Sequence, residues 1–378
     1  MTLAPALPSR LTALARRIDE ATPAHRDRAV DALRAVAILG VVLGHWAVTA
    51  LVAGRPIGGD GGTRLHTESP LSSMPATTAV SWALQTLAVF FFVGGHTAVL
   101  GLRRPYTSWV RVRMLRLFRP VAALLLAWVP MTLGLIASGL PPAPLLKLVL
   151  SPLWFLCVYA VLTALTPLLH RAKPYAALVA AAVVAVVDVA RFGLGGPAWL
   201  GWINVIAGWL VPYLLGVAWA KGALESRRVA VALLVAGTAG TAALVAWAGY
   251  PASMVGVPGA AISNLNPPTL AAVTFGVAQI GLALLVRHRL ARWMRRPMAW
   301  AAVAFANLSA MTVFCWHQTA LMIVTLTGLA AGTLPGLHDA PDDPVWVLYR
   351  LAWLPVFAVT LAALWALFHR VERPGRPK

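Results

Sequence analysis

Apolar runs of a length to cross a bilayer recur along the whole chain, among them "VAALLLAWVPMTLGLIA" and "AALVAAAVVAVV". Such runs leave few choices. A helix rises about 1.5 Å per residue, so roughly 20 apolar residues span a hydrocarbon core ~30 Å thick. Only 11% of the residues are charged and 60% are hydrophobic, where a soluble domain carries about 25% charged residues. The alternating pattern of an outer-membrane barrel is absent. The expected fold is all-α: one polytopic membrane domain of about ten transmembrane helices. They fall near 31–53, 77–102, 120–139, 148–169, 175–190, 199–220, 229–249, 268–286, 301–331 and 345–369. The fifth is short, and the ninth is long enough to tilt or to run past the bilayer.

Residues 1–27 are too polar to insert and contain no cleavable signal pattern. They read as a cytosolic tail or surface helix, followed by the membrane domain over 28–370 and a basic cytosolic tail over 371–378. The formal net charge is +19, and its placement gives it meaning. With the N-terminus inside and loops alternating, 26 of the 31 basic residues fall on the inner side. This is the positive-inside asymmetry, and it predicts two cytosolic termini. Most of the charge therefore concerns topology and anionic lipid, so nucleic acid is not an expected partner. Cys157 and Cys315 lie within apolar helices and imply no disulfide framework. No Walker loop, GxSxG, HExxH or metal-spaced Cys/His cluster is present.

The first helix, "DALRAVAILGVVLGH", is polar where a plain anchor would be apolar. Arg34 and His45 are eleven residues apart, which is three turns plus about 20°. They share one face, about 16 Å apart along the axis, and Asp31 lies within about 40° of the histidine's line. The stripe reads Asp31, Arg34, Ile38, Val41, His45. Gly40 and Gly44 lie to one side as a small-xxx-small pair that lets a neighbouring helix approach closely. Arg34 has two readings, an interfacial anchor with Asp31 as its local partner or a functional cation. His45 likewise has two, an interhelical bond or a site residue. Their common face favours a pathway or site, because ionisable groups in a membrane are costly.

These residues resemble the acyltransferase-3 family of integral membrane acyltransferases, in the form seen in actinobacteria. The family's "LD-x-LR … H" element matches Asp31, Arg34 and His45. "FFFVGGH" resembles its second-helix "FF-x-x-SG" element, "RVRMLRLFRP" its basic "R-x-x-R-x-x-P" region, and "PLWFL" at 152–156 its "LW-F/Y-L" motif. "NPPT", "MTVFCWHQTAL" and "VERP" follow in order, so the likeness spans about residues 27–374. One element departs: Gly94-Gly95-His96 stands where the family usually has a serine and an aromatic residue, which adds a histidine near the site.

The resemblance implies a multi-pass enzyme of the bacterial inner or plasma membrane. It would move an acetyl or other short acyl group from cytosolic acyl-CoA to a hydroxyl of a sugar-containing acceptor: an envelope glycan, a glycolipid or a glycosylated metabolite. Acyl-CoA is then a donor substrate, and no permanently bound cofactor or metal is expected. His45 is the candidate general base, since imidazole titrates near neutral pH; an acyl-histidine intermediate is the alternative. Arg34 stands at the donor entry. Arg113, Arg116 and Arg119 are candidate ligands for the coenzyme phosphates, which arginine forks bind bidentately, or else they fix topology. Pro120 suits the start of the third helix. His317, His96, Trp154 and Asp31 complete the candidate substrate-binding set. Asn264 and Asn266 form a turn or a sugar contact, and Asp188 with Arg191 reads as a local i,i+3 pair.

Two rivals fit the same stripe. A transporter or flippase would use it to line a route without chemistry, and a receptor-like module would only bind its ligand.

Overall fold

The computed structural model describes residues 7–54, 64–139 and 141–372. Ten helical segments are long and apolar enough to cross a membrane: Arg28–Val48, Pro75–Leu100, Tyr106–Ala137, Pro142–Ala164, Ala176–Gly193, Ala198–Ala220, Arg227–Trp247, Leu270–Trp293, Ala310–Ala331 and Pro344–Val371. The basic tail expected at 371–378 lies almost wholly outside the described residues. The principal helices are α1 (Leu7–Glu20), α2 (Arg28–Val48), α3 (Leu87–Leu100), α4 (Tyr106–Ala137), α5 (Leu153–Ala164), α6 (Ala176–Asp188) and α7 (Gly201–Ala220). They continue as α8 (Arg227–Trp247), α9 (Leu270–Trp293), α10 (Pro297–Leu308), α11 (Ala310–Gly328) and α12 (Pro344–Glu372).

Helix α2 is the hub, in contact with α3, α9, α10, α11 and α12. It starts where the Asp27 carboxylate accepts from the backbone N–H groups of Ala29 and Val30, a conventional N-cap. It stops at Val48, five residues earlier than the apolar run predicts. Residues Ala50–Gly54 leave as strand β1 and pair antiparallel with β2 (Arg64–Glu68). Hydropathy continues through Leu51 and Val52, but these side chains are buried from a strand. The stop has a specific agent. Arg350 of α12, only 2% exposed, donates to the carbonyls of Trp46, Thr49 and Gly336. A guanidinium thus caps carbonyls that the helix end leaves without intrahelical partners.

Two other boundaries differ from expectation. The third span does not start at Pro120, since α4 is continuous from Tyr106 to Ala137 with Pro120 and Pro130 inside it. Proline removes one helical bond, yet the stretch of α4 before Pro120 is held by packing of Trp109, about three turns back, and of Leu117 against the bundle. The ninth run, expected as one helix over 301–331, is two. It breaks at buried Ser309, between α10 and α11. Its apolar composition is continuous, so hydropathy could not show the break.

Close packing is achieved with small residues, as expected where lipid supplies little drive for helices to associate. A Cβ on Gly40 would collide with Thr86, whose hydroxyl donates to the Ala37 carbonyl. Gly44, the other half of the expected pair, has only an ordinary contact with Leu84 at 3.4 Å. The tightest crossing is α3 on α7, where a Cβ on Gly95 would strike the backbone of Tyr213. Stacked pairs Phe91–Trp209 and Phe92–Trp219 flank it, with centroids 5.0 and 4.9 Å apart. The N-terminal segment is a surface helix: α1 packs on α10, and Trp300 donates to Thr22. Phe305 of α10 meets Trp365 of α12 at 4.9 Å, so both ends of the described chain gather at α10.

Candidate active site: a basic-mouthed chamber below a histidine pair

A chamber of about 720 Å³ opens at the end of the molecule that carries α1. From α2 and its N-cap it is lined by Asp27, Val30, Asp31, Arg34, Ile38 and Val41. Asp31, Arg34, Ile38 and Val41 belong to the stripe predicted from the sequence, but His45, its fifth member, does not line the chamber, contrary to the expectation that it and Arg34 open on one space. The α10–α11 break supplies part of the opposite wall, through Asn307, Ala310, Met311 and Phe314. Asn307 also donates to the Asp31 carbonyl, which ties the break to α2.

The mouth is cationic. Asp31 pairs with Arg26 at 2.5 Å and not with Arg34, contrary to the local pairing considered for it. Arg34 instead donates to the Thr97 hydroxyl at 3.0 Å, and Arg113 donates to the Thr97 carbonyl at 3.1 Å. Two guanidiniums from different helices therefore converge on one threonine. No carboxylate pairs with either among the described residues. Arg113 also lies over the Trp109 ring at 4.6 Å. Arg116 joins the lining but Arg119 does not. Steps of three residues lag by about 60° each, so the third arginine has rotated away from the chamber and is exposed.

His96 lines the chamber too. Its ring stacks on Trp219 with centroids 3.9 Å apart, and its Nδ1 has no partner among the described residues. Trp219 is in turn covered by Arg287, which pairs with Asp27 and Glu225. The two residues that depart from the resemblance have structural counterparts: a Cβ on Gly94 would meet the Tyr159 ring of α5, and His96 faces the chamber.

The lining ends at Val41 and Phe314. One turn further along the same two faces stand His45 on α2 and His317 with Gln318 on α11. His45 lies about 6 Å beyond Val41 along the axis. The two imidazoles meet edge to face, with centroids 5.1 Å apart. Gln318 Nε2 is 2.8 Å from His45 Nδ1. His317 is fully buried and its Nδ1 lies 2.6 Å from the Phe314 carbonyl. A carbonyl only accepts, so Nδ1 carries the proton and Nε2 the lone pair. That Nε2 has no partner among the described residues, nor does Gln318 Oε1. The Trp46 indole donates to the His317 carbonyl, fixing α2 against α11 at this height. Phe314 touches His317 and Phe155, with centroids 5.8 and 4.8 Å away, and with Val41 forms the partition between chamber and histidines.

Trp154 is not part of the chamber; it packs against Phe155 and Trp209. Asn264 is fully buried, donates to the Pro251 and Ser253 carbonyls and accepts from Thr269, which is the turn role. Asp188 and Arg191 do not form a salt bridge. Asp188 accepts from Asn204, Tyr250 and the Leu270 N–H, at 2.9, 3.0 and 2.7 Å. Sequence reading passed over Thr97 and Gln318. Both adjoin a histidine already noted, but only the packing of α3 on α2 sets Thr97 against Arg34.

A family model described as an acyltransferase domain matches residues 27–369. No curated protein and no solved structure gives a significant match.

Proposed function

The chain belongs to the acyltransferase-3 family of membrane acyltransferases, and on that premise we propose that it moves a short acyl group from cytosolic acyl-CoA to a hydroxyl of a sugar-containing acceptor. The observation that carries this reading is the convergence of Arg34 and Arg113 on Thr97, with Arg116 beside them, at the mouth of a chamber that runs along α2 toward His45. Unneutralised guanidiniums held in place suit the phosphates of a coenzyme. The α2 face from Arg34 to His45, about three turns or 16 Å long, suits an extended pantetheine arm whose acyl end reaches the histidines past Val41 and Phe314.

The chemistry then needs one base. The acceptor hydroxyl attacks the thioester carbonyl carbon while its proton passes to a ring nitrogen of His45. The new C–O bond forms, the C–S bond breaks, and the thiolate leaves with the proton returned by the imidazolium. General-base assistance of this kind contributes about 10²–10⁴-fold. His96 and His317 are assigned to the acceptor and acyl ends of the route, and Asp31, held by Arg26, shapes the entry.

Purified protein in lipid nanodiscs tests the donor half. Acetyl-CoA is expected to raise the melting temperature, and Arg34→Ala to reduce the shift at a given acetyl-CoA concentration. Absence of any shift with acetyl-CoA in the unmodified protein would overturn the reading. For the chemical half, His45→Ala is expected to lower acetyl-CoA consumption about 10²-fold or more with the thermal shift retained. Unchanged consumption removes His45 from the mechanism.

A further inference from the structure

A base is defined by which nitrogen holds its lone pair, and for His45 that choice depends on its neighbours. Two polar side chains stand against its ring, His317 and Gln318. His317 is already committed: its Nδ1–H is spent on the Phe314 carbonyl, so its remaining nitrogen offers only a lone pair. It can accept a proton but cannot set the proton's place by donating one. Gln318 is the group in hydrogen-bond contact with His45, at Nδ1.

An amide has one accepting and one donating end of nearly equal shape. With Nε2 toward the ring, the amide donates to Nδ1, and the proton of neutral His45 sits on Nε2, where it blocks that nitrogen as a base. With Oε1 toward the ring, Nδ1–H donates to the amide and Nε2 keeps its lone pair. The side chain is 1% exposed and its other end has no partner among the described residues. Burying an amide end unpaired costs about 1–3 kcal/mol, so the end turned away from His45 is poised for a polar atom of a bound substrate.

We propose that Gln318 is a positioning residue for His45 and that its amide works turned end for end from the placement that sets Nε2 against Nδ1: Oε1 then accepts from Nδ1–H, and Nε2 of His45 keeps the lone pair that must take the acceptor's proton. The proposal rests on the reading of His45 as the base. Asparagine in place of the orienting aspartate of a serine hydrolase leaves the geometry intact yet costs about 10⁴ in turnover through the wrong tautomer, which shows how much such a contact controls.

The test is ¹⁵N spectroscopy of histidine-labelled full-length protein in lipid nanodiscs, with His45 assigned by loss of its signals in His45→Ala. The expected wild-type signature is a protonated Nδ1 and a bare Nε2. In Gln318→Met, which keeps the volume and removes the acceptor, the Nε2-protonated fraction is expected to rise about fivefold or more. In Gln318→Glu, which keeps an acceptor, Nδ1 stays protonated. A wild-type spectrum with the proton on Nε2, or one unchanged in Gln318→Met, overturns the proposal; the wild-type result decides it even if the variants fold poorly. The kinetic arm uses acetyl-CoA. Gln318→Met should lower turnover about 10²-fold with KM for acetyl-CoA within about twofold, and Gln318→Glu should recover most of it. Equal losses in both variants count against the proposal. Normal turnover in His45→Ala would instead remove the base itself while leaving the spectroscopic answer in place.

Discussion

At the residue scale, the Arg34–Thr97–Arg113 arrangement makes the sharpest prediction. On the proposed role of Arg34 and Arg113 as a pair for the coenzyme phosphates, removing one cation should weaken the ground state more than the chemical step. Arg34→Ala and Arg113→Ala are each expected to raise KM for acetyl-CoA about tenfold with turnover changed less. Arg119→Ala, whose side chain points away from the chamber, should change neither. Titration of acetyl-CoA against the three variants checks this. The arginines themselves were visible in the sequence, as was the rotation that separates the third from the first. The pairing of Asp31 was not. Asp31 and Arg34 are i,i+3 neighbours, and only the approach of Arg26 from the loop before α2 takes the carboxylate elsewhere. Local spacing ranks partners by reach along one helix and is blind to competitors arriving from outside it.

Elements depend on contacts that hydropathy cannot register. The end of α2 is held by Arg350, just over 300 residues away in sequence. Arg350→Met should leave three buried carbonyls without their donor, at about 1–3 kcal/mol each. The expected outcome is a clearly lower melting temperature in detergent, with partial loss of acyl transfer because His45 lies within the last turn of α2. A melting temperature within about one degree of wild type would mean that water replaces the guanidinium. Gly95→Ala is expected to be more damaging still, since the added carbon meets backbone rather than a side chain that can move. The split of the ninth run into α10 and α11 belongs here too. An unbroken apolar run admits one helix or two, and the choice falls to the packing of α10 on α1 and α2.

For the molecule as a whole, two features join distant parts. The partition formed by Val41 and Phe314 closes the chamber below the histidines. Phe314→Ala should enlarge that end and shift donor preference toward longer acyl chains, measured as the ratio of turnover with hexanoyl-CoA to that with acetyl-CoA; an unchanged ratio would place the acyl group elsewhere. At the opposite end, Asp188 links α6, α7, the 248–269 connection and α9 through Asn204, Tyr250 and Leu270. Burial, and then the adjacent Asp188 carboxylate, hold the Tyr250 hydroxyl above the ordinary phenol range. A raised folded value means that the protonated phenol is the stabilising form. Its contribution is intact below about pH 10, the unfolded value, and is lost as pH rises beyond it. Tyr250→Phe should therefore lower the melting temperature at neutral pH yet lose less of it than wild type between about pH 9 and pH 11.

Length and hydropathy alone determined that this chain builds about ten apolar helices, because a hydrocarbon solvent tolerates little else. Helical periodicity alone determined that Asp31, Arg34 and His45 share a face, since that angle is fixed by the geometry of one helix. Tertiary structure decided what the face meets. It brought Arg113 to Arg34 through Thr97, set Gln318 and His317 against His45, and drew Arg26 to Asp31. Each of these is a contact between segments far apart in the chain or on different elements. Such contacts arise from which helices pack together and how deeply each sits, and no periodicity within a single helix encodes that.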